Sequence, residues 1–145
     1  MHPLANHWIE NIVLQSPVAQ TLSITARSAD IDHVTFVMPF SEALTTTPGV
    51  LHGGAVATLI DTVGAAASAS GISPDVPASG GATTNLLVNY LRSASTDLTA
   101  TATVVHRTHS GTLTEVHVTD TQGDLVATGQ VNSRIFYEGP DANPK

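Results

Sequence analysis

The spacing of apolar residues changes along this chain, and each change marks an element. Over residues 3–14, Leu4, Trp8, Ile12 and Val13 recur at roughly helical intervals, which predicts a short N-terminal helix. Pro17 ends it. Trp8, the only tryptophan, reads as a packing residue. Leu22, Ile24 and Ala26 then alternate with Thr21, Ser23 and Thr25, the pattern of a strand over residues 18–28. Asp30-Ile31-Asp32 reads as a turn, residues 33–40 as a returning strand, and residues 41–48 as a polar connector.

Residues 49–70 read G-V-L-H-G-G-A-V-A-T-L-I-D-T-V-G-A-A-A-S-A-S. Val56, Leu59, Ile60, Val63 and Ala67 fall at helical spacing, so a long helix opens near Gly53-Gly54. At about 100° per residue, Ala57, Gly64, Ala65 and Ser68 share a face with Asp61, the segment's single charge. That face is small along its length, with room for a ligand or another backbone. Leu59 and Val63 point the opposite way.

Residues 71–81 are rich in Gly, Pro and Ser and read as a loop, a candidate lid. Four strands follow, over residues 82–92, 98–108, 113–121 and 125–137, with Thr, Val and Ala dominant. A polar tail closes the chain at 138–145. Consecutive strands joined by tight turns make an antiparallel sheet, and the one apolar helix must be wrapped by it. The expected class is therefore α+β, about six antiparallel strands around one long helix, as a single domain over 1–145.

A carboxylate within so apolar a helix is costly unless something satisfies or uses it. Asp61 hydrogen-bonded in the core is the plain reading. The upstream H-G-G changes the balance. Backbone N–H groups at the helix start favour negative charge, and a lone base lies two turns on. Together these are equipment for attack on a carbonyl.

Gly49, His52, Gly53, Gly54 and Asp61 together resemble the signature of the hotdog-fold acyl-CoA thioesterases, in their phenylacetate-pathway (PaaI-like) branch. The pattern there is G-x-x-H-G-G, then an apolar helix with an acid nine residues after the His. The resemblance extends over almost the full chain. It implies that the Gly53 amide stabilises an oxyanion and that Asp61 acts as general base or nucleophile. It also implies that Thr83 positions the attacking water and that His52 supports the entrance. Thr46 stands where relatives carry Asn or Gln, and Gly54 and Asn85 join it as substrate-binding candidates. Tyr90-Leu91-Arg92 match a second family block, in which Ser93 replaces the usual Pro.

The implied activity is hydrolysis of an aryl-, arylacetyl- or medium-chain acyl-CoA to acid and CoA, with no cofactor beyond the CoA of the substrate. A non-catalytic acyl-CoA sensor is the alternative, and retention of Asp61 argues against it. A hotdog hydratase ranks last, because Asp30-Ile31-Asp32-His33 has the wrong spacing for that branch's motif. The family pairs sheets edge to edge, which implies a homodimer as minimal unit and a homotetramer beyond it.

Composition narrows the partners. The net charge of −7, with five Lys and Arg in all, argues against nucleic acid. CoA is itself polyanionic, so cations must be gathered locally, and Arg92, Arg107 and Arg134 are the candidates. The absence of Cys removes disulfides and thiolate nucleophiles and is compatible with a cytoplasmic setting. No apolar run is long enough to span a membrane, and no signal peptide is apparent. Seven His form no H-E-x-x-H or carboxylate–His cluster, so a metal is not expected. There is no G-x-S-x-G elbow either.

Overall fold

A computed structural model describes residues 1–75 and 78–138. Residues 139–145 of the expected tail, and Val76 and Pro77 of the expected lid, lie outside the described residues. The elements run α1 (Pro3–His7), a π-helical turn (Trp8–Val13), α2 (Pro17–Thr21), β1 (Thr25–Asp30) and β2 (His33–Met38). A 3-10 turn (Glu42–Leu44), β3 (Thr45–Thr47) and β4 (Val50–Leu51) lead into α3 (Gly53–Ala69). β5 (Ala78–Tyr90), β6 (Leu98–Arg107), β7 (Gly111–Thr119) and β8 (Leu125–Tyr137) complete the chain.

One antiparallel sheet runs in the order β1-β2-β6-β7-β8-β5, with β3 and β4 forming a separate two-stranded ribbon. α3 packs against β2, β6, β7, β8 and β5, so the sheet curls around it almost from edge to edge. The expected α+β helix-in-sheet architecture is present. Leu59, Ile60 and Val63 are fully buried, in one core with Phe36, Leu98, Val116, Val118 and Val131. Two glycines let helix and sheet approach this closely. A Cβ on Gly64 would meet Val131 Cγ2 at 2.7 Å, and one on Gly129 would meet Ile60 Cγ2 at 2.6 Å. Gly64 is thus committed to the sheet, and of the small face expected from the sequence only Ala57, Asp61 and Ala65 remain half-buried.

Three boundaries differ from expectation. The N-terminal helix is not regular over 3–14: after α1 it widens into a π turn, in which Leu14 N donates to Ile9 O at 3.0 Å. The strand expected over 18–28 begins only at Thr25, because Ser16 caps a helix on Ala19 N at 3.4 Å and Pro17 opens it. A proline that closes one helix is well suited to start the next. The alternation through Leu22 and Ile24 is real burial without a strand: Ser23, at φ 56°, turns the chain between them. Finally, residues 78–81 belong to β5 rather than to the loop.

Candidate active site

His52 is the N-cap of α3. Its backbone is extended (φ −62°, ψ 134°), and its Nδ1 accepts from Gly54 N at 2.8 Å. An accepting Nδ1 places the proton of the neutral ring on Nε2. The Gly54 amide, expected to face substrate, is therefore already taken by the cap. Ala55 N donates to the His52 carbonyl at 3.0 Å. The Gly53 amide donates to none of the described residues, which leaves one N–H at the positive end of the helix dipole.

Tyr90, at the end of β5, completes this corner. Its hydroxyl donates to Gly53 O at 2.7 Å, and its ring lies where a Cβ on residue 53 would meet it at 3.3 Å. The 53–54 peptide is thus held on both sides, its carbonyl by Tyr90 and its N–H by His52. Gly53, Val56, Tyr90, Arg92 and Val126 line a cavity of about 260 Å³. Arg92 is exposed there and pairs with Asp124 at 3.2 Å.

Two turns further along α3, Thr83 Oγ1 donates to Asp61 Oδ1 at 2.5 Å. This hydrogen bond is set by strand register. Thr83 pairs with Ser133, whose buried side chain faces the helix, so Thr83 faces inward as well. The register shifts between Thr83 and Asn85, and Asn85 pairs with Asn132 instead. Such a bulge turns the following residue to the other face. Asn85, expected to bind substrate, is exposed and by this register lies on the face opposite Thr83.

Beside Thr83 opens a second cavity of about 180 Å³, roofed by Trp8, Ile12 and Val13 and floored by Ala65, Ser68 and Ile135. Trp8 packs the N-terminal segment on the core, as expected, and also walls this cavity. Thr46 is exposed on β3, in the ribbon leading to α3, and makes no hydrogen bond with Asp61 or Thr83.

Arg107 is placed differently from expectation. Its Nε and Nη2 donate to Asp32 Oδ1 at 2.9 and 2.6 Å, Nη1 to Ser68 O at 2.9 Å and Nη2 to Ala67 O at 3.0 Å. Asp32 N in turn donates to Ser70 Oγ at 2.8 Å. A cation on the last carbonyls of a helix complements its dipole. Arg107 is therefore a clasp between the C-terminus of α3 and the β1–β2 turn, with four of its five N–H donors engaged there. Arg134 is among the residues lining the cavity beside Thr83, and its guanidinium stands 5.7 Å from the Phe136 ring centroid. Of the three arginines, Arg92 alone shares a cavity with Gly53. Among the described residues no three His, Asp or Glu side chains gather as metal ligands, and no helix is long and apolar enough to cross a membrane.

A helix wrapped by a curled antiparallel sheet, with a carboxylate on the helix and a glycine amide open at its start, is the hotdog class of fold. The sequence model of the Thioesterase superfamily matches residues 48–127, more than half of the chain, and the chain belongs to that superfamily. It is a thioester hydrolase. A Halobacterium salinarum protein described as a candidate esterase is 33% identical over 139 residues, covering 90% of this chain and 91% of its own. Among solved structures, a Silicibacter pomeroyi thioesterase family protein superposes with a TM-score of 0.84 at 22% identity, over 92% of this chain and 99% of that one. The E. coli PaaI protein from the phenylacetic acid degradation operon gives 0.79 at 21% identity, over 91% and 93%. These two likenesses establish the shared fold.

The sequence did not single out the Tyr90 hydroxyl as the partner of Gly53, or Ser133 as a neighbour of Thr83. Both relations join elements far apart in sequence, and the spacing of residues within one element does not show which distant residue it will meet.

Proposed function

We propose that this protein hydrolyses acyl-CoA thioesters with an aryl, arylacetyl or medium-chain acyl group, releasing the acid and CoA. The observation that carries the reading is the Thr83–Asp61 hydrogen bond beside an apolar cavity. Because Thr83 donates its proton to Asp61, its oxygen lone pairs are left to accept from a water. Asp61 takes a proton from that water as the hydroxyl attacks the thioester carbonyl. The carbonyl oxygen becomes an oxyanion and receives the Gly53 N–H. Collapse of the tetrahedral intermediate expels CoA as the thiolate. Direct attack by Asp61, through an acyl-enzyme anhydride, is the variant of this scheme.

The site is assembled from two subunits in this reading. Gly53 and Asp61 are eight residues apart on one helix, about 12 Å along its axis. A reacting carbonyl must lie about 3 Å from both nucleophile and oxyanion donor. One chain does not bring the two groups to one carbonyl, whereas α3 helices running antiparallel across a two-fold axis do. β5 is a long edge strand with Leu86, Leu87 and Tyr90 exposed, as expected of a strand that pairs with its own copy. A homodimer is thus the minimal unit, with a homotetramer as a further step.

Arg92 is the cation placed to receive CoA phosphates, exchanging its exposed pair with Asp124 for them. The reading needs no cofactor and no metal. A cytoplasmic setting is compatible with the lack of cysteine.

The test is Asp61→Asn, assayed against a panel of aryl and aliphatic CoA thioesters. Turnover is expected to fall at least about a hundredfold, the usual scale for loss of a general base, with acyl-CoA binding kept. Unchanged turnover in the folded variant would sink the mechanism. Binding by the wild-type protein with no hydrolysis across the panel would mark it as a sensor.

A further inference from the structure

Asp120 organises the turn between β7 and β8. Its Oδ1 accepts from Gln122 N at 2.9 Å and from Asp124 N at 3.0 Å, and its own N–H donates to Asp124 O at 3.0 Å. Asp favours such a turn because its side chain bonds the backbone a few residues on, and Gly123, at φ 82°, supplies the left-handed residue. Thr121 N donates to Thr96 Oγ1 at 3.2 Å and ties the turn to the segment before β6. Asp124 is thereby fixed in place without any use of its own side chain.

The acids at this end of the sheet divide by what they hold. Asp97 Oδ1 accepts from Phe40 N at 2.7 Å, and the Asp120 carboxylate serves the two turn amides. Both are parts of the fold. The Asp124 carboxylate accepts from no backbone group among the described residues and meets only the Arg92 guanidinium, at 3.2 Å. Arg92 is placed just as firmly, since Leu91 N and Arg92 N both donate to Val126 O, at 2.9 and 3.3 Å. Two main chains thus bring acid and base together at the rim of the cavity that contains Gly53.

Such a pair does little for stability. Both side chains are about half exposed, and exposed ion pairs are weak. Its consequence falls on ligands. The chain has five Lys and Arg in all, and Arg92 is the arginine that shares a cavity with Gly53. Asp124 neutralises it. A phosphate that reaches Arg92 must displace this carboxylate or lie beside it, and either lowers affinity.

We propose that Asp124 is a built-in competitor for phosphate, which occupies Arg92 in the free protein, weakens the hold on CoA and so speeds release of that product. The proposal rests on the function given above and adds a control on the same site. Binding is an exchange of ions. A CoA phosphate replaces the carboxylate on the guanidinium, Asp124 turns to water, and the pair re-forms when CoA leaves. Asp124 touches neither the thioester nor CoA and acts through Arg92.

Binding of CoA itself, without an acyl group, is measured by calorimetry on wild type, Asp124→Asn, Arg92→Ala and the double variant. At low ionic strength Asp124→Asn should bind CoA about two- to fivefold more tightly, the scale of one exposed ion pair. The gain should shrink at high salt and vanish when Arg92 is alanine. Inhibition of hydrolysis by added CoA should strengthen by the same factor, and KM for acyl-CoA should fall with it. The variant should fold as wild type does, because the bonds of the turn come from Asp120 and the main chain.

Unchanged CoA affinity in Asp124→Asn would overturn the proposal. A gain of equal size in the Arg92→Ala background would also overturn it, since Asp124 would then act only as diffuse negative charge. Tighter CoA binding that requires Arg92, in a protein that hydrolyses no thioester, would uphold the competition and overturn the proposed reaction.

Discussion

The Tyr90 hydroxyl donates to the Gly53 carbonyl at 2.7 Å and so pins the end of an edge strand to the first residue of the central helix. The bond orients the 53–54 peptide, whose N–H is held by His52 on the other side. Tyr90→Phe keeps the ring against Gly53 and deletes only this bond. We expect kcat to fall about three- to tenfold, as expected for one net hydrogen bond, with KM little changed. Steady-state kinetics with one thioester separates the two parameters. A rise in KM alone would reassign Tyr90 to substrate binding.

Thr83 holds Asp61 through a single hydroxyl, so shape and chemistry can be separated there. Thr83→Val preserves the volume and removes the bond, and kcat should drop roughly tenfold or more. Thr83→Ser restores the hydroxyl and should recover most of the activity. If valine and serine at this position behave alike, the hydroxyl is not positioning the attacking water.

Arg107 and Arg92 should behave oppositely, although the sequence presents them as equivalent cations. Arg107→Met leaves Asp32 and two helix-end carbonyls without their donor. Stability should fall by roughly 2–3 kcal/mol, the scale of charged hydrogen bonds at a helix C-terminus, while KM for acyl-CoA stays put. Arg92→Ala loses only an exposed ion pair and should change stability by less than about 0.5 kcal/mol. Its KM should rise, and the salt dependence of KM should flatten. Denaturant unfolding and kinetics at two ionic strengths check both.

The proposed two-subunit site predicts complementation between two inactive variants. Asp61→Asn supplies a sound Gly53 amide, and Gly53→Pro supplies a sound Asp61. Proline is acceptable at the first helical position, and the extended backbone of His52 suits the residue before it. Its Cβ would press on the exposed Tyr90 ring at 3.3 Å, a contact that a small ring movement relieves. After co-refolding, half the dimers are mixed and each has one intact site of two. About a quarter of wild-type activity should return. Confirmed heterodimers with no activity would place each site within one subunit.

Much of this protein was legible before its structure. The period of apolar residues placed α3 within a residue or two, because a 17-residue helix enclosed by a sheet repeats its burial pattern many times. The helix start, the free Gly53 amide and Asp61 came with it, since spacing along one helix fixes their relation. Strands β6 to β8 alternate strongly and were equally clear. The N-terminal segment misled, because a cap at Ser16 and a turn at Ser23 bury Leu22 and Ile24 without any strand between them.

What only the tertiary structure decided is which residues meet across the sheet. One bulge between Thr83 and Asn85 sends the first to Asp61 and the second to the outer face. The β1–β2 turn delivers Asp32 to Arg107 and ties that cation to the end of α3. The return of the N-terminal π turn onto α3 and β5 makes a roof of Trp8 and Ile12, residues far from the site in sequence. Local periodicity reports which face of an element is buried. It does not by itself place a bulge or say which distant segment covers that face, and these set the geometry of the site.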